Sequence, residues 1–206
     1  MSGPFTVWTP DVPAITARGE RTRKRLVEGA RELLEEVGYK NATVTEITQR
    51  SGVSLGTFYR YFDNREALFL LLLRSVVGVL YESVTGAWTP GDPQTSLRET
   101  TRRYLQAYYD NRHLIAALRD MASSVPQAAE LWWELRMYTF SRMERHYGDV
   151  DASDGQQRKL AITALGGMVE QFAYYWYVEG ERYSRKQPNI DHAAESLSQI
   201  WYRSLY

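Results

Sequence analysis

The stretch Thr43–Phe62, TVTEITQRSGVSLGTFYRYF, decides the fold because it encodes two helix starts that are separated by a tight turn. Its first four residues match a capping box, in which the Thr43 hydroxyl accepts from the Glu46 amide and the Glu46 carboxylate accepts from the Thr43 amide. Gly52 stands where a helix ends in the left-handed conformation that favours glycine. This pattern predicts a helix from Val44 to about Ser51.

A second helix is predicted directly after this turn. Ser54 is a favourable N-cap, and Phe58 and Phe62 lie four residues apart, on one face of the predicted helix. Two short helices joined by a tight turn are typical of a helix-turn-helix, whose second helix enters the major groove of DNA.

The spacing upstream of this motif predicts a first helix from about Ala17 to Val37, which ends before Gly38. Apolar residues recur at helical spacing along it, at Leu26, Ala30, Leu33, Leu34 and Val37. This apolar stripe would cover the inward faces of the two motif helices and complete a three-helix unit. The start of the helix is basic, with Arg18, Arg21, Arg23, Lys24 and Arg25 opposed only by Glu20. Such a cluster fits either the neutralisation of DNA phosphates or a solvated helix face.

The remainder of the chain shows helical periodicity and no convincing strand alternation, so the protein is predicted to be all-α. A long, nearly all-round apolar helix should begin at Asp63 or Asn64, and two further capping boxes are found at Ser96–Glu99 and Ser153–Gln156. We therefore expect a mobile tail at residues 1–16, a DNA-binding domain at 17–63 and a second helical domain at 64–206.

The composition narrows the class of protein. The chain has 25 basic and 25 acidic residues, so it is not expected to coat nucleic acid non-specifically, and any DNA binding must come from a local concentration of charge. It has no cysteine, no visible signal peptide and no apolar run long enough to span a bilayer. We expect a cytoplasmic protein without a membrane partner.

Several short runs agree at fixed spacing with a known signature. They are Ala42-Thr43-Val44, Ile47, Ser51-Gly52-Val53-Ser54, Gly56-Thr57-Phe58-Tyr59-Arg60-Tyr61-Phe62 and Glu66-Ala67-Leu68. In these positions the chain resembles the DNA-binding region of the TetR (tetracycline repressor) family, over about its first third. The resemblance implies an N-terminal three-helix helix-turn-helix DNA-binding domain, followed by a C-terminal helical ligand-binding and dimerisation domain.

The resemblance also implies two groups of DNA contacts, with Ser54 counted among them. Toward base edges it places Thr45, Leu55, Gly56 and Arg60, and toward phosphates it places Thr43, Thr57, Tyr59, Tyr61 and Arg65. Arg60 can bind a guanine bidentately, although a phosphate contact or a plain surface position would also suit it. Leu55 cannot form a hydrogen bond, so a thymine methyl is its natural partner, and Tyr61 could instead be an interhelical core tyrosine.

The second domain is rich in aromatic residues, and most of them must form ordinary core. Aromatic cavities with a few hydroxyl or indole donors suit apolar or aromatic ligands, and the resemblance implies a ligand pocket in this domain. The predicted lining is Tyr104, Tyr108, Met121, Trp133, Met137, Phe172 and Trp176. Hydrophobic compounds are favoured over sugars and nucleotides, because the helices show no phosphate loop and no charged cluster.

Two consecutive glycines, Gly166 and Gly167, fall in the middle of a predicted helix, where each costs about 1 kcal/mol relative to alanine. Close approach of a partner helix would offset this cost, and the resemblance implies a four-helix dimer interface made by the last two long helices. The predicted interface is Ile162, Leu165, Gly166, Val169, Leu197, Ile200 and Trp201. A tight contact within one subunit is the alternative.

The sequence gives no basis for an enzyme, a metal site or a cofactor, because its three histidines are scattered and no nucleophile elbow is found. We expect a homodimeric repressor that a hydrophobic small molecule releases from a palindromic operator in double-stranded DNA. An activator, a ligand-independent repressor and a helical protein that sequesters small molecules are the alternatives.

Overall fold

A computed structural model describes residues 16–85, 89, 91–147, 155–180 and 186–205. Residues 1–15 of the predicted tail and Ser153 of the third predicted capping box lie outside this part of the chain. As predicted, every regular element within the described ranges is helical. The elements are α1 (Ala17–Asn41), α2 (Val44–Ser51), α3 (Leu55–Phe58), α4 (Arg65–Ser83), α5 (Pro93–Asp110), α6 (Arg112–Ala122), α7 (Pro126–Tyr147), α8 (Gly155–Ala173), a π-helical turn (Tyr174–Val178) and α9 (Ile190–Leu205).

The chain divides into two compact units. The first consists of the described residues up to Gly78 together with His113–Trp132, and the second consists of Val79–Arg112 and the described residues from Trp133 onward. None of the described helices has the length and apolar character needed to cross a membrane.

The first unit is built on a core of aliphatic and phenylalanine side chains from α1 to α4. Buried there are Leu26, Ala30, Leu33, Leu34, Ile47, Phe58, Phe62, Leu68, Phe69, Leu72 and Leu73. In α1 the backbone leaves helical geometry at Gly38, whose φ of 72° is the conformation that glycine adopts without strain. The apolar periodicity therefore ends where the sequence predicts.

Helix α4 begins after Asn64, whose side-chain oxygen accepts from the Ala67 amide at 2.8 Å. Its buried residues fall on one side only, while Val79 is 45% exposed. The prediction of a helix buried nearly all round is therefore wrong, because on its other side Leu70 and Leu71 are only half-buried and Val79 is at the surface.

The start of α5 also differs from the prediction. Asp92, rather than Ser96, caps the helix by accepting from the Thr95 amide at 3.0 Å, and Pro93 occupies the first helical position that proline favours. Ser96 lies inside the helix and donates to the Asp92 carbonyl at 2.7 Å. A stronger start signal four residues earlier has thus overridden the second predicted capping box.

The second unit packs α5, α8 and α9 with the later part of α7. Its interior contains Leu97, Leu105, Tyr108, Leu135, Ile162, Leu165, Val169, Leu197 and Trp201. Arg136 of α7 forms a bidentate ion pair with Glu170 of α8, with N–O distances of 2.8 and 2.6 Å. Such fork-to-fork pairs fix geometry as well as charge, so this pair sets the alignment of α7 on α8.

One of the two consecutive glycines in α8 has an explanation within one chain. A Cβ atom on Gly166 would lie less than 3.0 Å from the Phe140 ring of α7, whereas a Cβ on Gly167 would meet nothing within 4 Å. Gly166 is therefore required by the close packing of α7 on α8, which is the alternative that the sequence left open.

A π-helical turn follows α8, and sequence patterns did not indicate it. The Glu179 amide donates to the Tyr174 carbonyl at 3.0 Å, five residues back along the chain. Within the turn, burial raises the pKa of Tyr177 to about 12, and its hydroxyl has no hydrogen-bond partner among the described residues. Turns of this kind are rare and are frequent at functional sites.

The packing at Gly166 leads to a stability prediction. We expect Gly166→Ala to lower the free energy of unfolding by about 1–3 kcal/mol, because the added methyl group would overpack the contact with Phe140. Gly78→Ala in α4 is the matched control, since its Cβ would meet nothing, and it should raise stability by about 1 kcal/mol through helix propensity. Urea unfolding followed by circular dichroism, at one fixed protein concentration, measures both. Equal effects of the two substitutions would contradict the packing argument.

Candidate nucleic-acid interface and ligand site

Both ends of α2 are capped as the sequence predicts, by a capping box at the start and a left-handed glycine at the end. The Thr43 hydroxyl accepts from the Glu46 amide at 3.2 Å, and the Glu46 carboxylate accepts from the Thr43 hydroxyl at 2.6 Å and from its amide at 3.1 Å. These hydrogen bonds lower the pKa of Glu46 below its usual range. At the other end, Gly52 adopts the left-handed conformation with φ 61°, and its amide donates to the Gln49 carbonyl at 3.1 Å.

Helix α3 starts where predicted, and it is shorter than predicted. Ser54 accepts from the Thr57 amide at 3.2 Å, but regular α-helix ends at Phe58. The following turn is tighter, since the Tyr61 amide donates three residues back, to the Phe58 carbonyl, at 2.9 Å. Phe58 and Phe62 nevertheless share a buried face, with ring centroids 5.8 Å apart.

The residues predicted to face base edges are all at the surface. Thr45, Gly56 and Arg60 are exposed, and Leu55 is 50% exposed. Tyr59 is 54% exposed and packs edge-on against the buried Phe58 ring, with centroids 5.3 Å apart. The buried Phe58 ring therefore supports Tyr59, which is exposed together with the neighbouring Leu55, Gly56 and Arg60.

The residues predicted to contact phosphates are more varied in their placement. Thr43 is engaged in the capping box, the Thr57 and Ser54 hydroxyls lie 2.8 Å apart, and Tyr61 is half-buried. Arg65 is turned inward, where it donates to the Ala42 carbonyl at 2.5 Å and to Glu66 at 2.8 Å. Its guanidinium also lies 5.0 Å from the Tyr39 ring centroid, so its position in the free protein is fixed by internal contacts.

The basic stretch at the start of α1 separates into residues with different surroundings. Arg23 pairs with Glu20 at 3.3 Å. Arg25 donates to the backbone carbonyls of Ser51 and Gly52, at 2.8 Å for the latter. The three other cations are exposed and form no ion pair within the described residues. They are Arg18, Arg21 and Lys24. Sequence reasoning missed the role of Arg25, because its partners lie 26 and 27 residues away.

Comparisons with known proteins identify the helix-turn-helix unit. Residues 26–72 match the family model described as bacterial regulatory proteins, tetR family. This match covers all of α2 and α3 and the apolar part of α1, which are the elements that present the exposed surface described above. Residues 26–72 therefore form a DNA-binding region of the TetR family of bacterial regulatory proteins. Members of this family are regulators rather than enzymes, as the sequence led us to expect.

Individual curated relatives match over different lengths. The transcriptional repressor AcnR of Corynebacterium efficiens is 36% identical over 64 residues, which cover 31% of this chain and 34% of AcnR. The regulator EthR of Mycolicibacterium smegmatis is 24% identical over 198 residues, which cover 91% of this chain and 88% of EthR. The chain spans 29% to 34% of the length of the first curated relatives that it matches at more than 30% identity.

A solved structure shares the fold over most of the chain. A tetR-family transcriptional regulator from Streptomyces coelicolor superposes with a TM-score of 0.73 at 17% sequence identity, covering 89% of this chain and 80% of that one. At this level of identity the similarity concerns the fold alone. It agrees with the predicted all-α architecture of an N-terminal helix-turn-helix and a C-terminal helical domain.

The residues predicted to line a ligand pocket fall into three groups. Met121 is buried and belongs to the first unit, while the other six belong to the second. Trp133 and Met137 are 58% and 39% exposed. The remaining four form two aromatic pairs in the second unit, Tyr104 with Tyr108 at 5.8 Å and Phe172 with Trp176 at 6.0 Å.

A charged group lies beside the first aromatic pair, contrary to the expectation that these helices hold no charged cluster. Burial raises the pKa of Tyr104 well above its ordinary value, and the nearby Tyr108 and Glu170 raise it further. Glu170 is the carboxylate that pairs with Arg136. The sequence did not reveal this cluster, because its members come from three helices and the ion pair joins residues 34 positions apart.

The residues predicted to form the dimer interface mostly face the interior of their own chain. Ile162, Leu165, Val169, Leu197 and Trp201 are buried in the second unit, and Gly166 lies under Phe140. Of the predicted set, Ile200 is the one with a large exposed fraction, at 45%. The apolar surface left open on α8 is instead at Leu160, which is 65% exposed, and at the uncovered Gly167.

The exposed surface of α3 leads to a prediction for DNA recognition. We expect Arg60→Ala to relax the preference at one base pair, because removal of a bidentate guanine contact costs roughly 1–3 kcal/mol of discrimination. Tyr59→Phe should instead weaken binding to all sequences alike, because a phosphate contact carries no sequence information. A mobility-shift series on singly substituted duplexes measures both. Retention of the wild-type preference by Arg60→Ala would remove the assignment.

Proposed function

We propose that this chain is a homodimeric, ligand-responsive DNA-binding regulator, and that it represses transcription until a hydrophobic small molecule releases it from a palindromic operator. The observation that supports DNA binding best is the position of two exposed cations relative to α3. Arg18 and Arg21 lie seven and four residues before Arg25, on the same side of α1, and Arg25 contacts the turn that precedes α3. The exposed residues of α3 thus have cationic residues near them.

Because the formal net charge of the chain is zero, binding to phosphates must depend on this local cluster. Direct readout by the protein is modest, since Thr45 and Arg60 are the polar side chains among the residues expected at base edges. Leu55 would contribute a thymine methyl contact. Much of the specificity would therefore come from DNA shape and from the spacing of two half-sites, which are one helical turn, or about 34 Å, apart for a two-fold dimer.

The dimer would form through α8 and α9. Leu160 and Ile200 are large apolar side chains with exposed fractions of 65% and 45%, and Gly167 leaves space for the close approach of a second helix. The buried residues that the sequence assigned to this interface would then support it from beneath. Formation of a four-helix interface would remove these exposed apolar groups from water.

The effector would bind in the second unit, among the aromatic pairs formed within α5 and between α8 and the π-helical turn. The rings of Tyr104, Tyr108, Phe172 and Trp176 favour an apolar or aromatic molecule. The Arg136–Glu170 pair beside Tyr104 adds a place for one polar group of the ligand. The effector would shift the dimer to a state in which the two recognition helices no longer match the half-sites, by an amount limited by its difference in affinity for the two states.

The relatives favour repression, because AcnR is named a repressor. An activator or a ligand-independent repressor would use the same DNA surface, and a protein that sequesters small molecules would use the second unit alone. We assign DNA binding to residues 17–63 and effector binding and dimerisation to residues 64–206, in a protein that acts in the cytoplasm.

Selection of duplexes from a random pool tests this function. We expect the full-length protein to enrich a palindromic sequence and to lose affinity linearly as the logarithm of salt concentration rises, with a slope of about −0.9 per phosphate contacted. Apolar compounds are then screened for release of the selected duplex. If no duplex is bound in a salt-dependent way, regulation by DNA binding is excluded and sequestration becomes the better explanation.

The proposed dimer surface has its own test. We expect Leu160→Arg to convert the dimer to a monomer at micromolar concentration in sedimentation velocity, because two guanidinium groups would be placed at an apolar two-fold interface. Val79→Arg is the matched control, since Val79 is also an exposed apolar residue, at 45% against 65% for Leu160, but lies on α4. A wild-type protein that is monomeric under these conditions, or an equal effect of both variants, would exclude this surface.

A further inference from the structure

The carbonyl groups that end α2 are bound by a side chain from another helix. Nη2 of Arg25, in α1, donates to the carbonyls of both Ser51 and Gly52. The last carbonyls of a helix have no partner within the helix, and they lie at the negative end of its dipole. A guanidinium at this place therefore acts as a C-terminal cap that is supplied from 26 residues upstream.

The surrounding backbone is shaped to admit this arginine. Gly52 has φ 61°, and a Cβ atom on it would lie 2.7 Å from Nη2 of Arg25. Gly29, one helical turn after Arg25, meets the same end of α2, since its own Cβ would be less than 3.0 Å from the Ser51 hydroxyl oxygen. Arg25 and Gly29 thus form one face of α1 that holds the C-terminus of α2 at close range.

The position of α3 depends directly on this contact. Val53 and Ser54 alone separate Gly52 from Leu55, the first residue of α3. The Val53 amide is itself bound to the Thr48 carbonyl at 3.0 Å, so the turn has little freedom of its own. A shift at Gly52 would therefore be transmitted to Leu55, Gly56 and the other residues expected at the bases.

We propose that Arg25 is a positioning residue for DNA reading and not a phosphate contact, although it lies within the basic stretch of α1. It fixes the turn between α2 and α3, whereas the neighbouring Arg21 and Lys24 supply charge to the DNA backbone. This inference rests on the proposed DNA-binding function. It separates two roles that residue type and sequence position alone cannot distinguish.

The experiment compares full-length wild-type protein with Arg25→Gln, Arg25→Lys and the matched control Lys24→Gln. The probes are the duplex that the wild-type protein selects from a random pool and an unrelated duplex of equal length. Affinity is measured over a series of salt concentrations. Thermal unfolding of each variant is recorded first, and binding is measured well below each midpoint so that loss of folded protein does not contribute.

The two roles give different signatures. Lys24→Gln should weaken both duplexes alike and reduce the salt slope by about 0.9 for each protomer, because one phosphate contact is lost. Arg25→Gln should retain the wild-type slope, weaken the selected duplex roughly fivefold and leave the unrelated duplex nearly unaffected, because the cap is lost and the reading surface is displaced. Arg25→Lys should restore only part of the affinity, since an ammonium group does not reproduce the guanidinium geometry.

The outcomes distinguish failure of this inference from failure of the proposed DNA-binding function. If Arg25→Gln reduces the slope and weakens both duplexes as Lys24→Gln does, or if Arg25→Lys restores full affinity, Arg25 is a phosphate contact and the inference is wrong while DNA binding stands. If the wild-type protein binds no duplex in a salt-dependent way, the proposed function fails and the inference fails with it.

Discussion

Short helices leave a large share of their backbone groups without partners, and this constraint governs the DNA-binding part of the chain. Helix α2 has eight residues and α3 has four, so their terminal amides and carbonyls outnumber the hydrogen bonds within them. Thr43 and Glu46 satisfy the start of α2, Gly52 and Arg25 satisfy its end, and Ser54 satisfies the start of α3. Because these three termini are closed in this way, a unit of modest size can hold exposed residues such as Leu55 and Arg60 in fixed positions. The side chains of this segment that are expected to read DNA are therefore those that capping does not use.

The second unit depends on a different requirement, which is the alignment of its long helices. In this unit the contacts between helices matter more than the helix termini. Two contacts between α7 and α8 set the register of these helices. The Arg136–Glu170 pair fixes α7 on α8 electrostatically, and the Phe140 ring resting on Gly166 fixes it sterically. The Arg136–Glu170 pair lies close to Tyr104, one of the residues that we assign to the ligand. A ligand that displaced this pair would disturb the alignment of α7 on α8, which offers a physical route from binding to a change in the proposed dimer.

Sequence reasoning succeeded where the determining residues are close together in the chain. Thr43 with Glu46, Ser54 with Thr57 and the left-handed Gly52 are all local, and together with apolar periodicity they predicted the helix-turn-helix and the all-α class. It failed where one signal competed with another, as when Asp92 and Pro93 took the start of α5 from Ser96. It also failed where partners are distant, since Arg25 and Ser51 are 26 residues apart and Arg136 and Glu170 are 34 apart.

Periodicity shows that a helix face is apolar, but it does not show whether that face is covered by the same chain or by a second one. Ile162, Leu165 and Val169 illustrate this point, because the sequence predicts a dimer interface for them and they are also buried within their own chain.

The π-helical turn at Tyr174–Val178 bears on how this chain should be aligned with its relatives. A turn that spans five residues in place of four accommodates one residue more than a regular helix of the same length. A relative with the same fold and a continuous helix here would therefore need one residue fewer between Phe172 and Gly180. An ungapped alignment would then pair residues about 100° out of phase beyond this point, and Tyr177 would be matched with a side chain on another face. Comparison of the residues around the proposed ligand site thus requires a one-residue gap at this turn wherever the relative lacks it.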